Sequence, residues 1–344
     1  MNEIEHIAAS FHTLKKSDTS LFEDWKRLLL NYQKKAGAVY RNFEGYTYLP
    51  VQAFKEAPIC CFNPEEAERV FLSSGTSLSA KSVQQASQKG PVAPSRDLSD
   101  SGHSGRARHF VRHLEVYERS VLTEFKRVFG SGPFTILAHL PSYLPDSSLV
   151  YMADLLIREL GQPGSGFFLD DHSMLESAIE QSPKSGNSLI VLGAAFGLLD
   201  LVSVGEFALP TNSIVIETGG MKTHRREITR EDLHQKLALG FGLDRSQVRS
   251  EYGMCEMLSQ CYTNAKGLFE TPPWVSIEVL DPNDFQTPLE FGLPGILAVF
   301  DMANVYSQSA ILTQDIAIRH EKGFEVIGRM DHAAIRGCNL LLEF

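Results

Sequence analysis

Ser188-Leu189-Ile190-Val191-Leu192-Gly193, followed by Ser213-Ile214-Val215-Ile216-Glu217-Thr218-Gly219-Gly220, is the pair of segments on which the fold turns. Each is a short run of branched apolar residues that ends in small ones, the pattern of a buried strand. Phe134-Thr135-Ile136-Leu137-Ala138 reads the same way. Between and after these strands come helical patterns. Ser148 to Glu159 is one, and Thr229 to Leu239 is another, opened by Thr229-Arg230-Glu231-Asp232 in the manner of a capping box with Asp in place of Glu. Strands alternating with helices predict an α/β architecture built on a largely parallel sheet.

Working outward, residues 1–35 read as helical, with Phe22, Trp25, Leu28, Leu29 and Tyr32 on one apolar face. Tyr48 to Lys55 is extended or turn-like. A helix is expected from Arg108 to Phe129, where Val111, Leu114, Tyr117, Val121, Leu122, Phe125 and Val128 form a stripe. The last third has more strand character, at Trp274 to Leu280, Gly295 to Phe300, Ile316 to His320 and Phe324 to Ile327. Residues 78–107 break the pattern. Seven serines, three glycines and two prolines, with few large apolar side chains, cannot offset the entropy of ordering, which predicts a disordered surface insertion. The expected organisation is one large domain over 1–344, with a helical extension at 1–45, the insertion at 78–107 and a strand-rich segment at 316–344.

Composition narrows the class. At 43% hydrophobic and 22% charged, the chain has the make-up of a globular protein with a substantial core. A net charge of -10 with scattered Lys and Arg argues against a general nucleic-acid binder and against attraction to anionic membranes. The acidic N-terminus lacks the apolar core of a signal peptide, and no apolar run approaches the roughly 18 residues of a membrane span. The cytoplasm is the expected location. Five dispersed cysteines, with only Cys60 and Cys61 adjacent, suggest free thiols rather than a disulfide or zinc framework.

Four short motifs carry chemistry. Ser73-Ser74-Gly75-Thr76-Ser77 follows Phe71-Leu72; small hydroxyl residues around glycine let N–H and O–H groups converge on phosphate oxygens. The bland alternative is a serine-rich turn. Glu251-Tyr252-Gly253-Met254-Cys255-Glu256 offers an aromatic ring for a purine and carboxylates for Mg²⁺, or simply a strand end and a turn. Asp315, read at a strand entrance after Thr313-Gln314, is placed to accept from two ribose hydroxyls or to hold a turn. Gly328-Arg329-Met330-Asp331 reads as a tight turn whose arginine contacts phosphate or ribose, or makes a surface ion pair. Phe167, Phe168, Phe196 and Met254 are readable as pocket or core.

In this order the motifs resemble the acyl-adenylating superfamily, and within it the acyl-protein synthetases of bacterial bioluminescence, over roughly residues 45–344. Arg108-His109-Phe110-Val111-Arg112 looks like the segment that follows the family's serine motif. The closing motif runs on into Ile335-Arg336-Gly337-Cys338-Asn339. The resemblance implies the fold of an adenylate-forming enzyme's N-terminal domain, with mixed sheets flanked by helices and without the full mobile C-terminal domain. It implies ATP and Mg²⁺, a carboxylic acid, fatty or aromatic, converted to acyl-AMP with release of pyrophosphate, and transfer of the acyl group to a thiol. Ser73, Ser74, Gly75, Thr76 and Ser77 would cradle the phosphates. Tyr252 and Gly253 would lie near adenine, in a pocket lined by Gly219 and Gly220. Glu256 would hold Mg²⁺, Asp315 the ribose, and Arg329 would act beside it. Cys338 occupies the place of an acyl-carrying cysteine, or is a small buried residue beside Leu340-Leu341-Leu342. Acceptor partners could be a reductase subunit, an acyl carrier protein or CoA. The chain departs from the family in continuing Ser77-Leu78 where Thr-Gly is usual, and in having no counterpart to the superfamily's C-terminal lysine. A phenylacetate-type acyl-CoA ligase and a non-catalytic scaffold that binds nucleotide or acyl groups remain as alternatives.

Overall fold

The computed structural model describes residues 2–43, 45–73, 105–142, 144–169, 171–205, 207–219 and 228–330. Two helices open the chain, α1 (Glu3–Ser10) and α2 (Thr19–Ala36). After β1 (Leu49–Pro50) and the single turn α3 (Ala53–Glu56), β2 (Arg69–Leu72) and β3 (Arg108–Val111) pair as a two-stranded antiparallel ribbon. The central α/β portion follows: α4 (Leu114–Phe129), β4 (Phe134–His139), α5 (Ser148–Leu160), β5 (Gly166–Phe167), α6 (His172–Ser185), β6 (Ser188–Ala194), α7 (Ala195–Val204), β7 (Ile214–Thr218), α8 (Arg230–Phe241) and β8 (Val248–Tyr252). The chain then turns to strands: β9 (Cys261–Thr263), β10 (Phe269–Glu270), β11 (Val275–Leu280), β12 (Pro294–Asp301), β13 (Ala310–His320) and β14 (Gly323–Arg329).

One 12-stranded sheet runs in the order β11-β12-β13-β14-β10-β9-β8-β7-β6-β4-β5, with β1 beside β13. From β5 to β8 every pairing is parallel, and from β8 to β11 every pairing is antiparallel. The parallel half shows why its strands read as continuous apolar runs. Ile190, Leu192 and Ile216 join one core cluster, with α4 and α5. Leu189, Val191 and Val215 join a second, with α6, α7 and α8. Successive residues point to opposite faces and both faces are covered. The N-terminal helices lie on the first cluster through Ile7, Phe11, Trp25 and Leu29, while Gln33, fully buried in α2, donates to the carbonyls of Asn304 and Val305 and pairs both ways with Ser309.

Thr229 caps α8 as expected, its hydroxyl oxygen accepting from the Asp232 amide at 3.0 Å. The reciprocal half of the box is not made; Asp232 instead accepts from the Thr229 hydroxyl. Arg108 to Val111 corrects the helix expected there. These four residues pair with Arg69–Leu72, and the helix begins only at Leu114, because the ribbon captures the backbone first. Gly328 and Arg329 are a second correction: they belong to β14, paired with Ile316 and Asp315, rather than to a tight turn. Asp315 likewise sits inside an 11-residue strand and not at its entrance. Of the insertion, only residues 105–107 are described. Four cysteines, Cys60, Cys61, Cys255 and Cys261, are free thiols among the described residues. No described helix is long and apolar enough to cross a membrane.

Candidate functional site

Parallel strands β4, β6, β7 and β8 carry their C-terminal ends to one edge, where an open α/β sheet binds ligands. Gly219 follows β7 and Tyr252 ends β8; their predecessors, Thr218 and Glu251, are register partners. Gly219 has φ +85°, a left-handed conformation that suits glycine, and a Cβ there would meet nothing within 4 Å. Among the described residues the space beside it is open.

Tyr252 stands where the two halves of the sheet meet. Its ring is 5.7 Å from Phe269 and 5.8 Å from Phe324, centroid to centroid. Arg230, from α8, lies over the Phe269 ring at 4.7 Å and donates to the Val326 carbonyl. The Tyr252 hydroxyl donates to Asp315 Oδ2 at 2.9 Å. Burial, with the neighbouring carboxylate, pushes that phenol well above its usual pKa, so the proton stays on Tyr252. Asp315 has 18% of its side chain exposed, and Arg329 Nε is 4.0 Å from Oδ1. Arg329 also donates to the Gln314 side chain at 2.9 Å. Tyr252, Asp315 and Arg329 thus converge, with Gly219 on the adjoining loop.

The turn after Tyr252 is built from buried contacts. A Cβ on Gly253 would sit 2.5 Å from Glu251 Oε1, so the carboxyl group of Glu251 occupies the space a side chain would need. Cys255 and Glu256 are buried at the turn's apex, and Asn304 donates to the Glu256 carbonyl at 2.8 Å. His109 of β3 reaches the Cys255 carbonyl through Nδ1 at 2.8 Å and the Ser307 hydroxyl through Nε2 at 2.9 Å. A carbonyl accepts only, so Nδ1 carries the proton and Nε2 accepts from Ser307. Burial lowers the pKa of His109 to about 4, which keeps the ring neutral. Ser73 is fixed at the root of the serine motif: its hydroxyl oxygen accepts from the Ala107 amide at 2.9 Å, and its carbonyl accepts from Arg106 at 2.6 Å. Burial raises the Cys255 thiol well above its usual pKa, an effect Glu256 reinforces and the Arg106 charge opposes. Ribbon and turn therefore meet at Arg106, His109 and Cys255.

Ser74, Gly75, Thr76, Ser77, Gly220 and Cys338 lie outside the described residues. Glu256, the carboxylate expected to hold Mg²⁺, is buried, and no group of three His, Cys, Asp or Glu side chains suited to a metal occurs among the described residues. One carboxylate is compatible with a Mg²⁺ held mainly by phosphates and water. Phe168 is core, 1% exposed. A cavity of about 520 Å³ between α1, α2 and the start of α4 is lined by Tyr32, Arg112, His113 and Tyr306 and by none of the predicted site residues. Sequence reading quoted Glu251 in its motif as a possible Mg²⁺ carboxylate, Thr218 only as the end of a strand and His109 only within Arg108-His109-Phe110-Val111-Arg112; it did not foresee the contacts that these three make.

The fold resembles that of solved ligases. An open conformation of 2-hydroxyisobutyryl-CoA ligase in complex with 2-HIB-AMP and CoA superposes with a TM-score of 0.61 at 11% identity, over 92% of this chain and 75% of that one. ATP-bound MatB from Rhodopseudomonas palustris gives 0.50 at 17% identity, over 78% of this chain and 49% of MatB. At such identities the likeness is one of fold. The chain spans about half the length of MatB. The sequence model of the acyl-protein synthetase family, LuxE, matches residues 169–343, half of the chain. The chain belongs to the acyl-protein synthetase family. That match includes Tyr252, Asp315, Arg329 and Cys338 and leaves out the serine motif at 73–77. No curated protein matches the sequence significantly.

Proposed function

We propose that the protein activates a carboxylic acid with ATP and passes the acyl group to a thiol. In the first step a carboxylate oxygen bonds to the α-phosphorus, the bond to the β-phosphate breaks, and pyrophosphate leaves. In the second a thiolate bonds to the acyl carbon and AMP leaves. The observation that carries this reading is the Tyr252–Asp315 pair with Arg329 beside it, at the C-terminal edge of the parallel strands, in a chain of this family. Asp315 Oδ1, beside Arg329, is the oxygen proposed to accept from ribose hydroxyls, and the space left open among the described residues at Gly219 suits the adenine. The first step depends more on alignment and charge placement than on covalent catalysis. Glu256 is the residue for Mg²⁺, which would supply charge neutralisation at the phosphates. The serine motif supplies phosphate contacts, and Cys338 is the thiol proposed to carry the acyl group, with an acyl carrier protein, a reductase subunit or CoA as other acceptors. A fatty or aromatic acid fits the family.

The experiment is ATP–pyrophosphate exchange against a panel of fatty and aromatic acids, on the full chain and on Cys338→Ala. Acid-dependent exchange that survives Cys338→Ala, with loss of the covalent acyl-protein, supports both steps. Absence of exchange with every acid sinks the adenylation reading. A covalent adduct that persists in the variant excludes Cys338, and strict dependence on CoA moves the function to an acyl-CoA ligase.

A further inference from the structure

We propose that Glu251 is a positioning residue for the adenosine site: its carboxyl group, held between Thr218 and Gly253, fixes the spacing of the two loop roots that present Gly219 and Tyr252. The inference deepens the acyl-adenylation reading and rests on it.

Glu251 is 8% exposed and immediately precedes Tyr252. Its Oε2 accepts from the Thr218 hydroxyl, and Thr218 immediately precedes Gly219. Its Oε1 lies against Gly253, 2.5 Å from where a Cβ would stand. One carboxyl group therefore touches the last residue of β7 and the first residue of the turn after β8. Among the described residues, backbone pairing between β7 and β8 runs as far as Thr218 and Glu251. The side-chain link takes over where the sheet ends. Gly219 and Tyr252 are the next residues in sequence, so in the proposed adenosine site the link between their predecessors sets how far apart they stand.

The surroundings favour a neutral carboxyl group. Glu251 is opposite Tyr262 in register, and Tyr117 of α4 packs on the same core. The Tyr262 hydroxyl and Gln260 Oε1 are buried without a hydrogen-bond partner among the described residues. The titratable groups that face Glu251 are Glu217 on β7, Tyr117 on α4, and Cys261 and Tyr262 on β9, none of which supplies a positive charge. Burial, reinforced by Glu217, raises the Glu251 pKa to about 7 against the help of Thr218. A glutamine has the same shape and no charge, and so can replace the protonated form. Alanine cannot, and Thr218→Val removes the donor while keeping the branched shape.

The test measures ATP affinity by calorimetry, with kcat and KM for ATP in pyrophosphate exchange, on the full chain carrying Glu251→Gln, Glu251→Ala, Thr218→Val or Thr218→Ser. Folding of each is checked by near-ultraviolet circular dichroism. Glu251→Ala and Thr218→Val are expected to raise KM for ATP about tenfold, with kcat changed less than about threefold, as loss of a buried hydrogen bond outside the reacting atoms should do. Thr218→Ser and, at pH 6, Glu251→Gln restore most of the loss. Wild-type ATP affinity falls as pH rises past about 7, and Glu251→Gln flattens that profile. Unchanged KM in a folded Glu251→Ala or Thr218→Val variant overturns the proposal, as does a Glu251→Gln variant as impaired as Glu251→Ala at pH 6. If the wild type binds ATP but shows no exchange, adenylation fails while the affinities still decide the role of Glu251. If the wild type binds no ATP, both ideas fall.

Discussion

The Tyr252 hydroxyl donates to Asp315 Oδ2 across 2.9 Å, joining residues 63 positions apart. One belongs to the last parallel strand and the other to the middle of an antiparallel one. Asp315 thereby holds Tyr252 through one oxygen and faces Arg329 with the other, Oδ1. Asp315→Ala removes both the ribose acceptor and the partner of Tyr252. Hydrogen bonds to charged groups are worth about 1.5–3 kcal/mol each, so ATP affinity should fall by roughly 10- to 100-fold. Tyr252→Phe keeps the ring among Phe269 and Phe324 and should cost about tenfold or less. Equal losses in the two variants, measured by calorimetry with ATP, would mean that the Tyr252 hydroxyl, rather than Asp315, makes the decisive contact.

His109 predicts a pH-dependent stability effect. His109→Ala leaves the Cys255 carbonyl without its donor and opens a cavity, a loss of about 3 kcal/mol at pH 7. With a folded pKa of about 4 below the ordinary 6.5, the native state binds fewer protons than the unfolded one between those values. The contribution of neutral His109 is complete above pH 6.5 and is lost as pH falls toward 4. Urea unfolding should therefore show the gap between wild type and His109→Ala narrowing to roughly 1 kcal/mol by pH 5. A gap that widens on acidification would mean that His109 is charged in the native state.

The parallel half of the fold was legible because burial on both faces leaves a mark in local sequence. Leu189 to Leu192, Val215 and Ile216 had to be apolar at every position, and the sheet buries them all. The ribbon was not legible. Arg108-His109-Phe110-Val111 has its partner in Arg69–Leu72, and a helical stripe that begins in earnest at Leu114 extends by chance to Val111. The same limit hid the contacts of Glu251, which the motif offered only as a carboxylate for Mg²⁺. Its carboxyl group is organised by Thr218, 33 residues earlier, and by an absent Cβ on Gly253, neither of which a local pattern reveals. Tyr252, Asp315 and Arg329 were nameable from motifs, yet their convergence depends on β13 and β14 pairing in a register that places Asp315 opposite Arg329.

Gly253 gives a steric prediction. A Cβ at 2.5 Å from Glu251 Oε1 is closer than packed atoms tolerate, so Gly253→Ala must displace either the carboxyl group or the turn that carries Cys255 and Glu256. Overpacking of this kind costs about 1–3 kcal/mol. The expected result is a lower thermal midpoint together with a raised KM for ATP. Combining Gly253→Ala with Glu251→Ala should restore part of the stability, since the second substitution vacates the contested space. Strictly additive losses in that double variant would show that the clash lies elsewhere.

Glu251 also makes a stability prediction that needs no substrate. Its folded pKa, about 7, lies above the ordinary carboxyl value of 4.5. Between those values the native state binds more protons than the unfolded chain, so stability is full below about pH 4.5 and declines as pH rises through 7. A tenfold difference in proton affinity between the two states corresponds to about 1.4 kcal/mol. Glu251→Gln cannot titrate and should not suffer this decline. Asp301, raised to about 6 by burial, drives a loss of the same sign, but it is present in both proteins and cancels in the comparison. Chemical unfolding at pH 5 and pH 8 should thus show Glu251→Gln gaining on the wild type by roughly 2–3 kcal/mol across the interval. Parallel curves would place a charged, compensated carboxylate at Glu251 and remove the reason for the neutral clamp between Thr218 and Gly253.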